Sequence, residues 1–327
     1  MPDARPASHA GSWYTDDRES LDRELTGYLA RVPESVDGVG RIPVDGARVI
    51  IAPHAGYSYS GPAAAWAYKS LNLRDIQRVF ILGPSHHVYL DGCALTAHTT
   101  YATPLGPLPI DATTTAALAA TGKFGTMSPS TDADEHSIEM HLPYTYKILS
   151  SHFPPSALPP VTPILVGALS MTKEKEYGTL LAPYLSDPSN AFIVSSDFCH
   201  WGSRFSYRRY LPAAGTPVAE AASLSGSGTP AGQPIWQAIE QLDSAAMQAI
   251  ETGRHDEFAR YLRDTKNTVC GRHPIGVVMA GLEEVARLRG GDGSQAAKFK
   301  FVRYEQSSKC MSGSDSSVSY ASAFAVL

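Results

Sequence analysis

Four short apolar runs constrain the fold of this chain more than any other feature of its sequence. Each run is rich in β-branched residues, is continuous rather than alternating, and leads into turn-forming residues. The runs are RVIIAPHAG (48–56), RVFILGPSHH (78–87), PILVGALS (163–170) and AFIVSSDFCH (191–200). Continuous apolar runs are typical of strands covered on both faces, as in a parallel sheet between two layers of helices. The sequence therefore predicts an α/β fold.

Helix-like segments separate these runs, and the end of the chain has a different pattern. The predicted helices are 62–71, 136–151, 173–185, 235–252, 255–264 and 274–289. The last should begin at Pro274, because proline is favoured at the first helical position. KFKFVRYEQ (298–306) and SVSYASAFAVL (317–327) alternate, which predicts antiparallel strands. The expected fold is a layered α/β/α domain with a central mixed β-sheet.

Stretches rich in Gly, Ala, Ser and Pro occur at 32–47, 211–234 and 289–297. None is typical of a domain linker, because the segments on either side show the same pattern of predicted strands and helices. Such stretches suit surface loops, which tolerate insertion at low free-energy cost. We therefore expect a single domain over 1–327, with 211–234 as a low-complexity surface insertion.

Composition and charge limit the classes of partner and compartment. The net charge of -5 provides no basic surface for nucleic acid, so no nucleic-acid partner is expected. No apolar stretch reaches the ~18 residues of a membrane span, and the N-terminus lacks a secretory signal. We expect a soluble protein of the cytoplasm, with the nucleus as a second compartment and no membrane insertion. The cysteines form no CxxC pair, which argues against a disulfide framework or a zinc ribbon.

Histidines follow three of the predicted strands. They are His54 in APHAGY, His86 and His87 in GPSHH, and His200 in SSDFCHWG. In open α/β sheets the ligand site lies beyond the carboxyl ends of the strands. One histidine after a strand is usually structural, but three in equivalent places favour a shared site. Because neighbouring residues on an extended chain point in opposite directions, His86 and His87 should not both face it.

Cys270 precedes the helix predicted from Pro274, in the segment NTVCGRHPIGVV. A helix N-terminus lowers the pKa of a nearby thiol and favours the thiolate, which binds metals or attacks electrophiles. The alternative is a small buried apolar residue, the usual state of a free cysteine. The following Arg272 and His273 favour an anion or thiolate site.

The segment DADEHSIEMHLPYTY (132–146) is the richest in ionisable groups. If it is helical from about 136, His136 and Glu139 share a face, and His141 points elsewhere. The spacing is not HExxH, so a thermolysin-like zinc site is not supported. A pocket-lining role and a helix start with acidic residues that complement the dipole are equally consistent with this segment.

Several long motifs together resemble the Memo family, named from a mediator of ErbB2-driven cell motility. They are SHAGSWY (8–14), IIAPHAGYSYSG (50–61), ILGPSHHV (81–88), DEHSIEMHLPY (134–144), PILVGAL (163–169), DPSNAFIVSSDFCHWG (187–202), CGRHPIG (270–276) and QSSKC with DSSVSYA (306–321). The resemblance spans nearly the whole chain, and the loop at 211–234 departs from it in length and composition. It implies a fold similar to the class III extradiol dioxygenases (LigB-like).

The resemblance also implies a metal site of two histidines and one cysteine. Carried over by motif, the ligands are His54, His86 and Cys270, and His87 packs or hydrogen-bonds behind His86. His200 matches the position of the dioxygenase acid/base histidine, with Asp197 as its partner. Other residues that this reading expects to line the pocket are His87, His136, Glu139, His141, Arg272 and His273.

Iron or copper binding and redox activity are the functions that the resemblance implies, with O₂ reduced to superoxide or peroxide. A thiolate in place of the usual carboxylate means that ring cleavage does not follow. The family's roles lie in signalling, cell motility and the cytoskeleton, or in redox and metal homeostasis.

Two further functions stay open. One is a non-catalytic signalling adaptor that binds a phosphotyrosine-containing peptide or signalling protein in the same pocket, with Arg272 and Arg204 as phosphate partners. The other is a serine hydrolase that uses Ser195 or Ser196 with His200 and Asp197. The hydrolase is the weaker alternative, because the sequence lacks a GxSxG elbow.

Overall fold

The computed structural model describes residues 4–291 and 295–327. Its helices are α1 (Arg18–Arg31), α2 (Tyr57–Ser70), α3 (Ala112–Ala120), α4 (Pro129–Asp134), α5 (His136–Glu139), α6 (Leu142–Ser150), α7 (Met171–Ser186), α8 (Ile235–Glu251), α9 (His255–Thr265) and α10 (Arg272–Leu288). Its strands are β1 (Ala4–Arg5), β2 (Ser35–Val36), β3 (Gly40–Arg41), β4 (Ala47–Ala52), β5 (Arg78–Pro84), β6 (Cys93–Leu95), β7 (Thr100–Tyr101), β8 (Leu108–Pro109), β9 (Phe124–Thr126), β10 (Val161–Val166), β11 (Asn190–Ser195), β12 (His200–Trp201), β13 (Arg209–Tyr210), β14 (Ala222–Ser223), β15 (Phe299–Gln306) and β16 (Ser317–Val326).

The central sheet has the strand order β12-β16-β4-β11-β5-β10-β6-β9, and β15 pairs with β16. The four apolar runs form its middle, where β4, β11, β5 and β10 are parallel. Ile193 of β11 is in register with Ile50 on one side and Ile81 on the other. Because β16 runs antiparallel to β4, and β6 antiparallel to β10, the sheet is mixed as predicted.

Helices cover both faces of the sheet. On one face, Ile50, Ile81 and Ile193 pack in a core with side chains of α1, α2 and α6. On the other face, Val49 and Phe80, together with neighbouring strand residues, pack against α7, α8, α9 and α10. Alternate residues of each middle strand point to opposite faces, so both must be apolar. This arrangement is the expected α/β/α layering.

The predicted helices differ from the observed ones mainly at their ends. The helix expected at 136–151 is split into α5 and α6, and Pro143 lies in the first turn of α6. The last helix begins at Arg272 rather than at Pro274. Helix α1 was not predicted, because its apolar signal is weak and only Leu21 and Leu25 are buried.

Residues 211–234 contain β14, which pairs with β13, and most of their side chains are exposed. Leu211 and Ala221 are buried in a small separate cluster with Trp201 and Ile235. In the stretch at 289–297, residues 292–294 lie outside the described residues.

All four cysteines are free thiols, and Cys93, Cys199 and Cys310 are buried. None of the helices in the described ranges has both the length and the apolarity needed to cross a bilayer.

Candidate metal centre

Three histidine-bearing turns meet at the carboxyl edge of the sheet. His54 follows β4 by two residues, His86 follows β5 by two, and β11 lies between these strands. The rings of His54 and His86 have centroids 5.2 Å apart. Parallel strands end at the same edge, which is why residues distant in sequence come together here.

The surroundings of His54 fix which ring nitrogen carries its proton. The Ser195 hydroxyl donates its hydrogen to the carbonyl oxygen of Ser137 at 2.7 Å. Its oxygen therefore accepts from Nδ1 of His54, 2.6 Å away. This leaves Nε2 with a free lone pair in a buried position. Burial, followed by repulsion from His86 and other histidines, lowers the pKa of His54 well below its usual value and keeps the ring neutral.

His86 is oriented by the buried carboxylate of Glu135. One Glu135 oxygen lies 2.9 Å from Nδ1 of His86, and the other accepts from the His86 backbone N–H at 2.7 Å. Burial raises the pKa of Glu135, but the hydrogen bonds and charge of His86 outweigh it and lower that pKa to about 2. An ionised carboxylate only accepts hydrogen bonds, so Nδ1 of His86 is the donor, and Nε2 is the nitrogen that Glu135 does not contact. Such a carboxylate behind a histidine is typical of metal sites.

His136 joins this pair and was predicted only to line the pocket. Its ring stacks on His86 with centroids 4.4 Å apart and meets His54 edge-on at 5.5 Å. One ring nitrogen from each of the three histidines lies within 4.8 Å of the others. Burial, followed by repulsion from His86, lowers the pKa of His136 to about 3. No spacing rule identifies this residue, because only the tertiary fold brings α5 beside β5.

Cys270 also contacts His54. Its sulfur is 3.3 Å from Nε2 of His54 and accepts from the backbone N–H of Asp197 at 3.2 Å. The predicted lowering of the thiol pKa is wrong: burial, followed by the Asp197 charge, raises the pKa of Cys270 well above its usual value. Cys270 is not part of the described group whose ligand atoms all lie within 4.8 Å.

His200 and Asp197 flank the centre. Nδ1 of His200 lies 2.9 Å from the carbonyl oxygen of Phe198 and 3.1 Å from that of Thr268. Because a carbonyl only accepts, Nδ1 carries a proton, and Nε2 is free to accept one. Asp197 is buried and accepts from the His54 backbone N–H at 2.9 Å. Burial raises the pKa of this carboxyl group.

The remaining predicted residues lie in different surroundings. His87 is exposed, and one of its ring nitrogens groups with atoms of Glu135 and His136. Glu139 and His141 are fully buried, and neither belongs to the described groups whose ligand atoms lie within 4.8 Å of one another. The Glu139 carboxylate forms hydrogen bonds with the N-terminal segment, whereas Nδ1 of His141 lies 2.7 Å from the Tyr68 hydroxyl.

The hydroxyl groups of Ser195 and Ser196 are unsuited to nucleophilic attack. Both residues are fully buried. Their hydroxyls donate to the backbone carbonyls of Ser137 and Asp197 respectively. A nucleophilic serine needs an exposed oxygen whose proton passes to a base, and neither has one.

A cavity of about 650 Å³ borders the histidine cluster. It is lined by Trp13, which lies 4.5 Å from the His136 ring, and by Ala55, the neighbour of His54. Arg204 lines the same cavity. Arg272 and His273 line a different cavity, so the two arginines proposed as phosphate partners do not share one site.

The architecture and this edge site define the chain as a layered α/β/α protein with a histidine cluster at the carboxyl end of its central mixed sheet. The family model described as Memo-like protein matches residues 5–324. The chain belongs to the Memo family.

Relatives from several animals are similar over nearly the whole chain. The protein named MEMO1 from Danio rerio is 48% identical, and the one from Homo sapiens 46% identical; in both cases the match covers 97% of this chain and 95% of the relative. Protein memo-1 homolog from Caenorhabditis elegans is 42% identical over 97% of this chain and 81% of its own length. A solved structure of an uncharacterized Escherichia coli protein aligns with a TM-score of 0.47 and 12% identity, over 84% of this chain and 99% of that one.

Proposed function

We propose that this chain binds an iron or copper ion with His54, His86 and Cys270, and that the site is redox-active toward O₂. The observation that carries the proposal is the buried, unprotonated Nε2 of His54, which faces the Cys270 sulfur at 3.3 Å. Nε2 of His86 is also free, because Glu135 holds the other nitrogen. His136 would supply a fourth donor, since one of its ring nitrogens lies within 4.8 Å of those of His54 and His86.

The chemistry of this donor set fits such an ion. Neutral imidazoles bind iron and copper, and a cysteine sulfur adds a soft ligand that increases affinity for Cu(I). Cys270 must lose its proton to serve as a ligand, and a bound cation would favour that loss. The ion would supply one-electron chemistry, in which Cu(I) or Fe(II) is oxidised and O₂ is reduced to superoxide.

The residues around the donors have distinct proposed roles. His200 would take up or release a proton at Nε2, since its Nδ1 is held by two carbonyl oxygens. Ser195 and Glu135 would hold the ligand rings in the tautomer that presents Nε2. The cavity beside Trp13 and Ala55 offers an approach for O₂ or another small molecule.

Anaerobic titration with Fe(II) and with Cu(I) tests the metal site. Wild type should bind one equivalent, and His86→Ala or Cys270→Ala should abolish stoichiometric binding while circular dichroism stays unchanged. His87→Ala is the matched control, since its exposed ring neighbours the same cluster, and it should be much milder. Equal loss from His86→Ala and His87→Ala, or no binding by wild type, would contradict the assignment. Superoxide production by the loaded protein then tests the redox role.

A phosphotyrosine-containing peptide is the second candidate ligand. Arg204 favours it, because this residue lines the cavity beside the centre and no carboxylate of the described residues pairs with it. A peptide-binding module would keep its affinity without metal and lose it in Arg204→Gln. Arg260→Gln is the control, because Arg260 lines neither cavity and pairs with Glu257. Metal-dependent peptide binding, or none, would count against this role.

A further inference from the structure

A second cavity, of about 510 Å³, lies between α7, α9 and α10, and none of the four candidate metal ligands lines it. The segment 267–273 separates it from the metal centre. On one side of this segment, Thr268 hydrogen-bonds His200, and the Cys270 sulfur faces His54. On the other, Thr268 and Arg272 line the cavity. The two sites therefore share a wall but no ligand residue.

The wall of this cavity contains a buried carboxylate between two histidines. One oxygen of Glu174 lies 2.6 Å from Nε2 of His255, and the other lies 2.7 Å from Nδ1 of His273. Burial raises the pKa of Glu174, but these two hydrogen bonds outweigh it and lower the pKa. The carboxylate is thus ionised, and each histidine donates one N–H to it.

This arrangement leaves the second nitrogen of each histidine without a protein partner. His255 is 1% exposed, and its Nδ1 has no hydrogen-bond partner among the described residues. Nε2 of His273 likewise contacts no polar group of the part of the chain that the structure describes. A buried polar atom without a partner is unfavourable, and a ligand able to hydrogen-bond to Nδ1 of His255 would relieve this.

The rim of the cavity is positively charged. Three cationic side chains line it, Arg263, Lys266 and Arg272, against the single carboxylate of Glu174. Arg263 has Asp264 at 3.4 Å, whereas no carboxylate among the described residues pairs with Lys266 or Arg272. Lys266 also has a φ of 54°, a left-handed conformation that favours glycine or asparagine. A lysine here adds charge at a position where the backbone does not favour it.

Apart from the uncharged polar residues Asn267 and Thr268, the rest of the lining is apolar, and consists of Leu169, Met171, Phe258, Ala259 and Leu262. The volume falls in the range of small-molecule sites, which combine apolar walls with a few polar groups that orient the ligand. We propose that this cavity binds a small organic anion, with its carboxylate or phosphate at Lys266 and Arg272 and its apolar body against Phe258 and Leu262. This proposal does not depend on metal binding.

Titration of the full chain with simple probes tests the proposal. The probes are monobutyl phosphate, pentanoate, inorganic phosphate and butylamine, followed by calorimetry and by ligand-observed NMR. Both organic anions should bind with a Kd below about 10 mM, more weakly as salt is added, and more tightly than inorganic phosphate. Whichever anion binds better identifies the head group. Equal binding of butylamine, or no binding of either organic anion, would overturn the proposal.

Two substitutions locate the site. Lys266→Gly removes a cation at a backbone conformation that glycine accepts, so the fold should be retained. Together with Arg272→Gln it should weaken anion binding about tenfold or more, since both charged hydrogen-bond donors to the anion are removed. Arg260→Gln is the matched control on α9, because Arg260 is exposed and pairs with Glu257 outside the cavity. Unchanged binding in the double variant would refute the site.

A further variant separates this proposal from the metal site. His86→Ala should leave anion binding unchanged, because His86 does not line this cavity. If anion binding fell in His86→Ala as much as in the double variant, the anion would be bound at the metal centre instead, and the assignment would be wrong.

Discussion

The carboxylate of Glu139 fastens the N-terminal segment to the rest of the protein. It is fully buried, and one oxygen accepts from the Tyr14 hydroxyl at 2.7 Å and from the His9 backbone N–H at 2.8 Å. The other accepts from Arg5 at 2.7 Å and lies 2.9 Å from Nδ1 of His9. Because this segment carries Trp13 against His136, its attachment also supports the wall of the metal centre.

The magnitude of this attachment follows from the pKa of Glu139. Burial alone would raise the pKa, but the hydrogen bond from His9, the charge of Arg5 and the hydrogen bond from Tyr14 lower it from 4.5 to about 2. At about 1.36 kcal/mol per pKa unit, the lowering from 4.5 to about 2 corresponds to roughly 3 kcal/mol of folding free energy. Because the pKa is lower in the folded state, this stabilisation is complete above about pH 4.5 and is lost as the pH falls toward 2.

Glu139→Gln should therefore lower the free energy of unfolding by roughly 3 kcal/mol at pH 7. Glutamine has an NH₂ group where glutamate has its second oxygen. This NH₂ group would lie against hydrogen-bond donors and could not accept their hydrogen bonds. Urea unfolding followed by circular dichroism measures the loss. The difference from wild type should shrink as the pH falls from about 4.5 toward 2.

Glu19→Gln is the control for this experiment, since the Glu19 side chain is 85% exposed and, among the described residues, pairs only with Arg23 at 3.6 Å. It should change the unfolding free energy by less than ~0.5 kcal/mol. A loss below ~1 kcal/mol in Glu139→Gln at pH 7 would refute the reasoning, as would a difference from wild type that does not vary with pH.

Three further outcomes are expected at the sheet edge and in the helical layer. Ser195→Ala removes the acceptor that fixes the His54 tautomer, and metal affinity measured by competition with a chelator should fall about tenfold. Gly83→Ala would place a Cβ 2.7 Å from a side-chain carbon of α5, the helix that carries His136. The free energy of unfolding in urea should fall by ~1–3 kcal/mol, and metal affinity should fall as well. Gly178→Ala would place a Cβ 2.6 Å from the backbone of α10, and should cost similar stability while metal affinity of the folded protein is retained.

The periodicity of the sequence determined the layered fold and the strands that bear the site. Continuous apolar runs require two covering layers, so β4, β5, β10 and β11 could be located without knowledge of tertiary contacts. The alternating final segments likewise predicted β15 and β16 as antiparallel strands. Helix α1 was not predicted because its sequence lacks a strong apolar face. The sequence features that mark it are the cap residue Asp17 and two buried leucines.

Which side chains meet, and in what protonation state, was decided only by the tertiary structure. His136 contacts His86 because α5 packs across the end of β5. The spacing of residues along the sequence does not reveal this contact. The pKa of Cys270 rises because burial outweighs the nearby helix N-terminus, and burial is a property of the whole fold. Residues distant in the chain supply the hydrogen-bond partners that fix the tautomers of His54 and His86. Sequence patterns record local periodicity, whereas electrostatics depends on distance and solvent exclusion in three dimensions.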